Sequence, residues 1–328
     1  LRGGSDADDR ADDCGARRRA QTSERAVTKS RHIDAGSGVP TDPPRICDYE
    51  GSPYRRAFWE DADRRYEDAA ERLALRSLLP PDGRRLVEIG AGFGRLIDEY
   101  RGYGEIILVD YARSMLADAR QRIGDGATYV CADLYRLPFA TGALDAAVQI
   151  RVLHHVEAVP EAIREVARVL APGGSYVLEF ANKRNLKGIA RWVLRRQSEN
   201  PFDHRPHEFV PLNWNFHPSF VEAALADAGL HVRRRRAVSL FRAPFAKRAL
   251  PAAMLARLDH VLGGPLGRCA PAPSQFVRAA QLTGRRSEAL WRCPACGHEP
   301  LIAEQYGVPC PACARVWPIE DGIMMFRA

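Results

Sequence analysis

Short apolar runs alternate along this chain with longer stretches in which apolar positions recur every three to four residues. Leu86-Val87-Glu88-Ile89, Ile106-Ile107-Leu108-Val109, Thr128-Tyr129-Val130-Cys131, Ala146-Ala147-Val148-Gln149-Ile150 and Tyr176-Val177-Leu178-Glu179-Phe180 are five such runs. Strands separated by helix-like stretches predict a parallel sheet in an α/β fold. Ahead of the first run, Tyr54 to Leu79 reads as a helix, with Phe58, Tyr66, Leu73 and Leu78 among charged residues and Pro80-Pro81 as its stop. That helix either packs on the sheet or offers Tyr54, Trp59 or Tyr66 to a substrate pocket. Residues 1–45 carry only Leu1, Val27, Ile33 and Val39 as large apolar side chains. Such a segment cannot offset its ordering entropy and is expected to be disordered. The chain begins at Leu1 rather than Met, which suggests a truncated or misplaced start.

Length and composition narrow the class. At about 150 residues per domain, 328 residues predict roughly two domains. With 46% hydrophobic and 27% charged residues and no apolar run long enough for a membrane helix, a channel or a collagen-like protein is excluded and no membrane partner is expected. The formal charge of +7 invites a nucleic-acid reading, yet of 48 basic residues only Lys29, Lys183, Lys187 and Lys247 are lysine. An Arg, Ala, Gly and Pro bias of this kind more often reflects GC-rich coding than an anionic partner. Eight cysteines are too sparse for a disulfide scaffold and no apolar export segment opens the chain, so a reducing cytoplasm is the expected location.

Candidate chemistry begins directly after the first apolar run, at Glu88-Ile-Gly90-Ala-Gly92-Phe-Gly94-Arg95-Leu96. Glycines at 90, 92 and 94 let a backbone approach a ligand, and amides at the start of the helix expected from Leu96 to Tyr100 would favour a carboxylate or phosphate. The dinucleotide fingerprint wants its third glycine at position 95, where this chain has arginine, so a nicotinamide or flavin reading loses its support. Asp110 ends the second run, where a carboxylate can accept from both hydroxyls of a ribose. Asp133 ends the third, where it can accept from an adenine amine, with the Leu134 amide beside it. Each aspartate taken singly could equally cap a helix.

These motifs resemble the class I S-adenosylmethionine-dependent methyltransferases, in the branch called type 11. The resemblance runs from about Tyr54 to Gln281 and is carried by Leu86 to Gly94, Leu108-Val-Asp110, Asp133-Leu-Tyr-Arg-Leu-Pro-Phe139, Val152-Leu-His-His155 and Val169-Leu-Ala-Pro-Gly-Gly174. It implies a Rossmann-like sheet of seven strands with helices on both faces and a reversed last strand, here Ser274 to Gln281. It further implies that Glu88, Gly90, Gly92 and Gly94 hold the methionine end of S-adenosyl-L-methionine, Asp110 its ribose, and Asp133 with Leu134 its adenine.

Methyl transfer from a sulfonium is an in-line displacement, so the protein chiefly aligns the reacting atoms and excludes water. A general base is needed only for poorly ionised nucleophiles. Gln149, Arg151, His154 and His155 follow the fourth strand and should lie near the methyl group, Gln149 on the cofactor side. Arg151 is the better candidate for orienting an anion, since a guanidinium forks onto a carboxylate or phosphate. The two histidines either act on a proton or simply pack. No Asn/Asp-Pro-Pro-aromatic motif follows this strand, which argues against amino-group methylation by that arrangement. Farther on, Arg184, Lys187, Arg191 and Arg195 recur at helical spacing opposite Leu186, Ile189 and Val193, either as a solvated face or as a docking helix for an anionic substrate. The insertion 183–217 also carries His204, Arg205, His207, Asn213 and Trp214. Arg233 to Arg236 fall on an expected strand.

Near the end, Cys293-Pro-Ala-Cys296 and Cys310-Pro-Ala-Cys313 form two knuckles thirteen residues apart. Four thiolates on one zinc leave no open coordination position, so the metal is expected to be structural. His298 is close enough to compete as a ligand, and a redox dithiol is the weaker alternative. With Val316-Trp-Pro-Ile-Glu-Asp-Gly-Ile-Met-Met-Phe326, the knuckles resemble the small zinc-binding activator subunit of methyltransferases that act on tRNA and translation factors. The match departs from that family at Trp317, where Tyr is usual, and at Met324, where Pro is usual. It implies an activator fused to the enzyme and docking on its own methyltransferase domain; a ribbon gripping RNA directly competes with it.

The expected organisation is therefore a disordered segment over 1–45, a methyltransferase domain over 46–285 and a zinc ribbon over 286–328. The expected activity is methyl transfer to an unidentified acceptor, leaning to RNA or a translation-related substrate. A small-metabolite enzyme and a non-catalytic cofactor-binding scaffold are the alternatives.

Overall fold

Each of the five apolar runs becomes a strand. The computed structural model of the chain describes residues 43–52, 55, 59, 63–269 and 271–327. Strands β1 (Gly83–Ile89), β2 (Tyr103–Asp110), β3 (Thr128–Cys131), β4 (Leu144–Gln149) and β5 (Leu170–Ala181) pair in parallel in the order β3-β2-β1-β4-β5. Their nearly continuous apolar sequences follow from burial on both faces. Helices α1 (Arg65–Leu78), α2 (Arg113–Ile123) and α3 (Val159–Val169) supply part of that cover.

The helix expected from Tyr54 is helical from Arg65 onward, and Tyr54 and Phe58 lie outside the described residues. Its buried residues Tyr66, Ala70, Ala74, Leu75 and Leu78 recur at helical spacing, and Leu79-Pro80 turns extended where proline bars continuation. The helix expected from Leu96 to Tyr100 is instead a single 3-10 turn, Ile97–Tyr100, ended by Arg101-Gly102. Four residues give no aligned row of helical amides, so the anion-binding expectation for that terminus does not carry over.

After β5 come α4 (Leu186–Val193), the hairpin β6 (His207–Val210) and β7 (Asn213–Asn215), then α5 (Pro218–Asp227) and β8 (Leu230–Val238). Helices α6 (Pro244–Ala249) and α7 (Ala252–Leu266) lead into β9 (Ser274–Gln281), which runs antiparallel to β5, as the resemblance implied. Strand β8 pairs antiparallel with β9 and forms one sheet edge. A register shift between Val232 and Arg234, together with Arg233 to Arg236, blunts that edge against further pairing.

The sheet separates two cores. On one face, Leu75 and Leu78 of α1 and Leu255 of α7 pack on Leu86, Val148, Val177 and Phe276. On the other, Ile163 and Val166 of α3 and Val221 and Leu225 of α5 pack on Val87, Ile89, Ala147 and Leu178.

The seven expected strands are present as β3-β2-β1-β4-β5-β9-β8, and β10 (Gly307–Pro309), β11 (Val316–Glu320) and β12 (Ile323–Met325) of the cysteine-bearing segment extend the sheet past β3 to ten. Strand β12 pairs in parallel with β3, Ile323 opposite Tyr129 and Met325 opposite Cys131. An aromatic column continues the contact: Phe139 stacks on Trp291 at 5.6 Å, Trp291 on Phe326 at 5.4 Å, and Trp317 tilts against Phe326. Residues 45–51 and 64–328 make one compact unit. A second, formed by residues 1–44 and 52–63, falls almost wholly outside the described residues, as does the segment expected to be disordered.

Candidate active site

Strand order reverses between β1 and β4, because the chain runs outward through β2 and β3 before returning to the other side of β1. In an open parallel sheet that reversal opens a crevice at the carboxyl ends of the strands. The glycine turn leaves β1 at this point, and Arg151 to His155 leave β4 across from it.

The three glycines all have positive φ, but for separate reasons. A Cβ on Gly90 would lie 2.2 Å from Val152 Cγ2, and one on Gly94 would lie 2.5 Å from Ile123 Cδ1. Both positions are empty so that neighbouring elements can close in. A Cβ on Gly92 would meet nothing within 4 Å, so this residue alone of the three borders open space. Its amide donates to Asp110 Oδ2 at 2.8 Å, while Ala112 N–H donates to Oδ1 at 2.9 Å. Asp110 therefore fastens the turn after β1 to the start of α2.

Glu88, Asp110 and Asp133 stand at the ends of three adjacent strands. Burial pushes the Asp110 carboxyl up to about 6 against its backbone hydrogen bonds. Burial pushes Glu88 up to about 8, with Arg95 and Arg72 pulling the other way, and Glu88 Oε2 is buried without a hydrogen-bond partner. Asp133 accepts from the Tyr135 amide at 2.9 Å and is raised by burial. Leu134 packs on the α3-side core. An orphaned buried carboxylate oxygen, an open glycine and a neighbouring aspartate fit a ligand that carries both a cationic end and a hydroxylated ring. S-adenosylmethionine has these groups.

Gln149 is the last residue of β4, is fully buried and accepts from the Tyr176 hydroxyl, while its Nε2 is buried without a hydrogen-bond partner.

Arg151 has φ 62°, and its amide donates to Glu179 Oε2 at 3.0 Å. Its guanidinium pairs with Glu71 at 3.1 Å, and Glu71, 1% exposed, is shared with Arg95 at 2.6 Å. The charge of Arg151 is thus already met by α1, and the same carboxylate ties down the glycine turn through Arg95. Glu179 in turn accepts from Ser274 at 2.6 Å.

His154 and His155 sit with ring centroids 4.0 Å apart. Nδ1 of His155 is 2.9 Å from the Leu212 carbonyl, which only accepts, so Nδ1 carries the proton and Nε2 accepts from the Tyr49 hydroxyl at 3.0 Å. Burial holds His155 down at about 4. It holds His154 well below the ordinary imidazole value too, helped by His155, Arg151 and Arg242. Both rings are neutral near pH 7 and are weak proton acceptors.

No periodicity or motif marks the segment that covers this end of the sheet. Arg45 pairs with Glu157 at 2.7 Å and Glu208 at 3.0 Å, Tyr49 meets His155, and Gly51 N–H donates to Ser114 Oγ at 3.0 Å. Residues 45–51 have no periodic pattern, and their tertiary partners run from Ser114, 63 positions away, to Arg327, which pairs with Asp48 at 3.6 Å.

The four knuckle cysteines converge, their sulfurs all within 4.8 Å of one another. Cys293 and Cys313 are 3.7 Å apart and Cys296 and Cys310 are 3.5 Å apart. Tetrahedral zinc with Zn–S near 2.3 Å requires S···S of about 3.8 Å, and a disulfide about 2 Å, so the donor set fits zinc. His298 contributes its backbone carbonyl, which accepts from Cys293 N–H at 2.9 Å.

Residues 87–178 match the methyltransferase domain family. The chain is 32% identical over 133 residues to the ubiquinone/menaquinone biosynthesis C-methyltransferase UbiE of Paracoccus denitrificans, covering 38% of this chain and 52% of that protein. It is 39% identical over 94 residues to the biotin biosynthesis bifunctional protein BioHC of Cellvibrio japonicus, covering 28% and 19% respectively. It therefore spans about half or less of the length of these curated relatives. A putative S-adenosylmethionine-dependent methyltransferase from Listeria monocytogenes superposes with a TM-score of 0.50 at 15% identity, over 66% of this chain and 99% of that one, a likeness of fold. Sheet order and the switch-point crevice agree with the match of residues 87–178 to a methyltransferase domain.

Proposed function

We propose that the chain is an S-adenosylmethionine-dependent methyltransferase acting on a small molecule. The observation that carries the activity is the crevice at the β1/β4 reversal, where open Gly92, Glu88 with its unpartnered Oε2, and Asp110 lie within a matched methyltransferase domain. When bound there, the cofactor supplies an electrophilic methyl group. Glu88 would face its cationic end, Asp110 its ribose and Asp133 its adenine. Residues 45–51 exclude water from this end of the sheet, and orientation of this kind is worth on the order of 7–11 kcal/mol in favourable cases.

Neutral, weakly basic His154 and His155 favour an acceptor that arrives already ionised or otherwise nucleophilic over one that must be deprotonated in place. With Arg151 committed to Glu71, both serve to position neighbouring groups. A crevice under Tyr49 and the Arg45 ion pairs suits a small acceptor better than a polymer, and the names of the curated relatives lean the same way. RNA is the second reading, favoured by the basic residues of α4. Strand β12 beside β3 and the four-thiolate cluster support a structural zinc ribbon that docks in cis.

Incubation of zinc-loaded protein with methyl-labelled S-adenosylmethionine and a cell extract tests the assignment. Label in the small-molecule fraction is the expected result. Label in a ribonuclease-sensitive fraction would transfer the assignment to RNA, and failure to bind the cofactor in calorimetry would remove the activity altogether.

A further inference from the structure

The sequence between Asn182 and Ser198 holds six cationic side chains and no carboxylate. Its helix α4 is capped by Asn185, whose Oδ1 accepts from Gly188 N–H at 2.8 Å. Helical periodicity gathers Leu186, Ile189 and Val193 on one stripe and Lys187, Arg191 and Arg195 on the opposite side. In a globular protein such a stripe turns toward the core. Here it turns outward: Leu186 is 65%, Val193 64% and Leu194 62% exposed, and no residue of α4 is buried. The helix is tied to the protein at its first turn, where Leu186 N–H donates to the Pro271 carbonyl at 2.9 Å, and Ile189 is half-buried.

Beside the stripe, partly exposed Trp192 meets exposed Phe202 edge-on at 5.8 Å. A groove of about 600 Å³ runs along Trp192, Val193, Arg195, Gln197 and Ser198. An eight-residue helix gains little from its own propensity in water, so an uncovered aliphatic stripe points to a surface that covers it.

We propose that α4 and the turn after it dock on an anionic lipid bilayer. Leu186, Trp192, Val193 and Leu194 enter the boundary between headgroups and acyl chains, and Lys187, Arg191, Arg195 and Arg196 meet lipid phosphates. A Lys/Arg-rich flank on an exposed Leu/Val/Trp stripe is the composition of helices that lie in the interface plane. RNA would satisfy the cations but leave Leu186, Val193 and Leu194 without a partner. This replaces the expectation of no membrane partner, which rested on the lack of a spanning segment; no helix among the described residues is long and apolar enough to cross a membrane, and lying on one is a different requirement. The proposal does not depend on methyl transfer. Because α4 follows the carboxyl end of β5, the docked face lies at the same end of the sheet as the glycine turn.

The test is cosedimentation of the full chain with phosphatidylcholine vesicles with and without phosphatidylglycerol. Binding to the anionic vesicles that falls with salt is expected. Val193→Glu with Leu194→Glu should weaken it by about tenfold or more, with an unchanged melting temperature because both positions are exposed. Brominated lipid should quench tryptophan emission in the wild type and much less in Trp192→Phe. Failure to bind anionic vesicles overturns the proposal. So does binding that survives the two glutamates but is lost when Lys187, Arg191 and Arg195 become glutamine, since that would mark a polyanion site of the kind RNA fills.

Discussion

Gly90, Gly92 and Gly94 share a backbone requirement but not a purpose, and substitution separates them. Any side chain at these positive φ values is strained by about 1–2 kcal/mol. Gly90→Ala adds a collision with Val152, whereas Gly92→Ala adds a methyl to open space. Gly90→Ala should therefore lower the melting temperature more, and Gly92→Ala should lose more cofactor affinity for less lost stability; equal losses of stability would place Gly92 in the packing as well. Glu88 gives a second residue-scale prediction. A carboxyl at about 8 is mostly protonated at pH 7, and a cationic ligand beside it favours the ionised form. Cofactor binding at pH 7 should release roughly one proton, seen as a buffer-dependent enthalpy in calorimetry and absent in Glu88→Gln. The sign follows from the raised value: ionising Glu88 disfavours the free protein as pH rises through about 8, and the ligand reverses that penalty. These positions were legible as a motif in the sequence. Their separate roles were not, because Val152 and Ile123 come close only through the fold.

At the scale of elements, the apolar runs located the strands well because each is buried on both faces and carries its pattern locally. Reading failed where a segment's surroundings decide. The stretch after the glycine turn looked helical yet closes after one 3-10 turn. The apolar stripe of α4 was visible as a stripe, but nothing local told which way it faces. Helix α1 joins the site through Glu71, which bridges Arg95 of the glycine turn and Arg151 after β4. Glu71→Ala leaves two largely buried guanidinium groups without that carboxylate and should cost about 3–5 kcal/mol of stability in chemical denaturation. Retained stability would mean that solvent reaches both arginines.

For the whole molecule, the cysteine spacing announced a metal module, and the closest feature to a surprise is where its last strand goes. Cys296→Ser should drop zinc from one equivalent to near none, measured by elemental analysis, and lower the melting temperature by at least about 5 °C. The loss should reach the central sheet, because β12 covers the edge of β3 and Phe326 N–H donates to the Cys131 carbonyl at 2.8 Å. A variant that keeps its metal would contradict four-thiolate ligation. One that loses metal while the sheet melts unchanged would mean that β12 holds its place without zinc.

That covalent route from β9 through the knuckles to β12 changes the arithmetic of assembly. Two separate subunits must find each other, and the fraction assembled falls when both become dilute. A strand tethered to its own sheet sees that sheet at a fixed local concentration, of millimolar order for a short connection. The pairing of β12 with β3 is thus insensitive to dilution, to expression level and to competition from other sheets seeking the same strand. One chain always carries one β12 for one β3 edge.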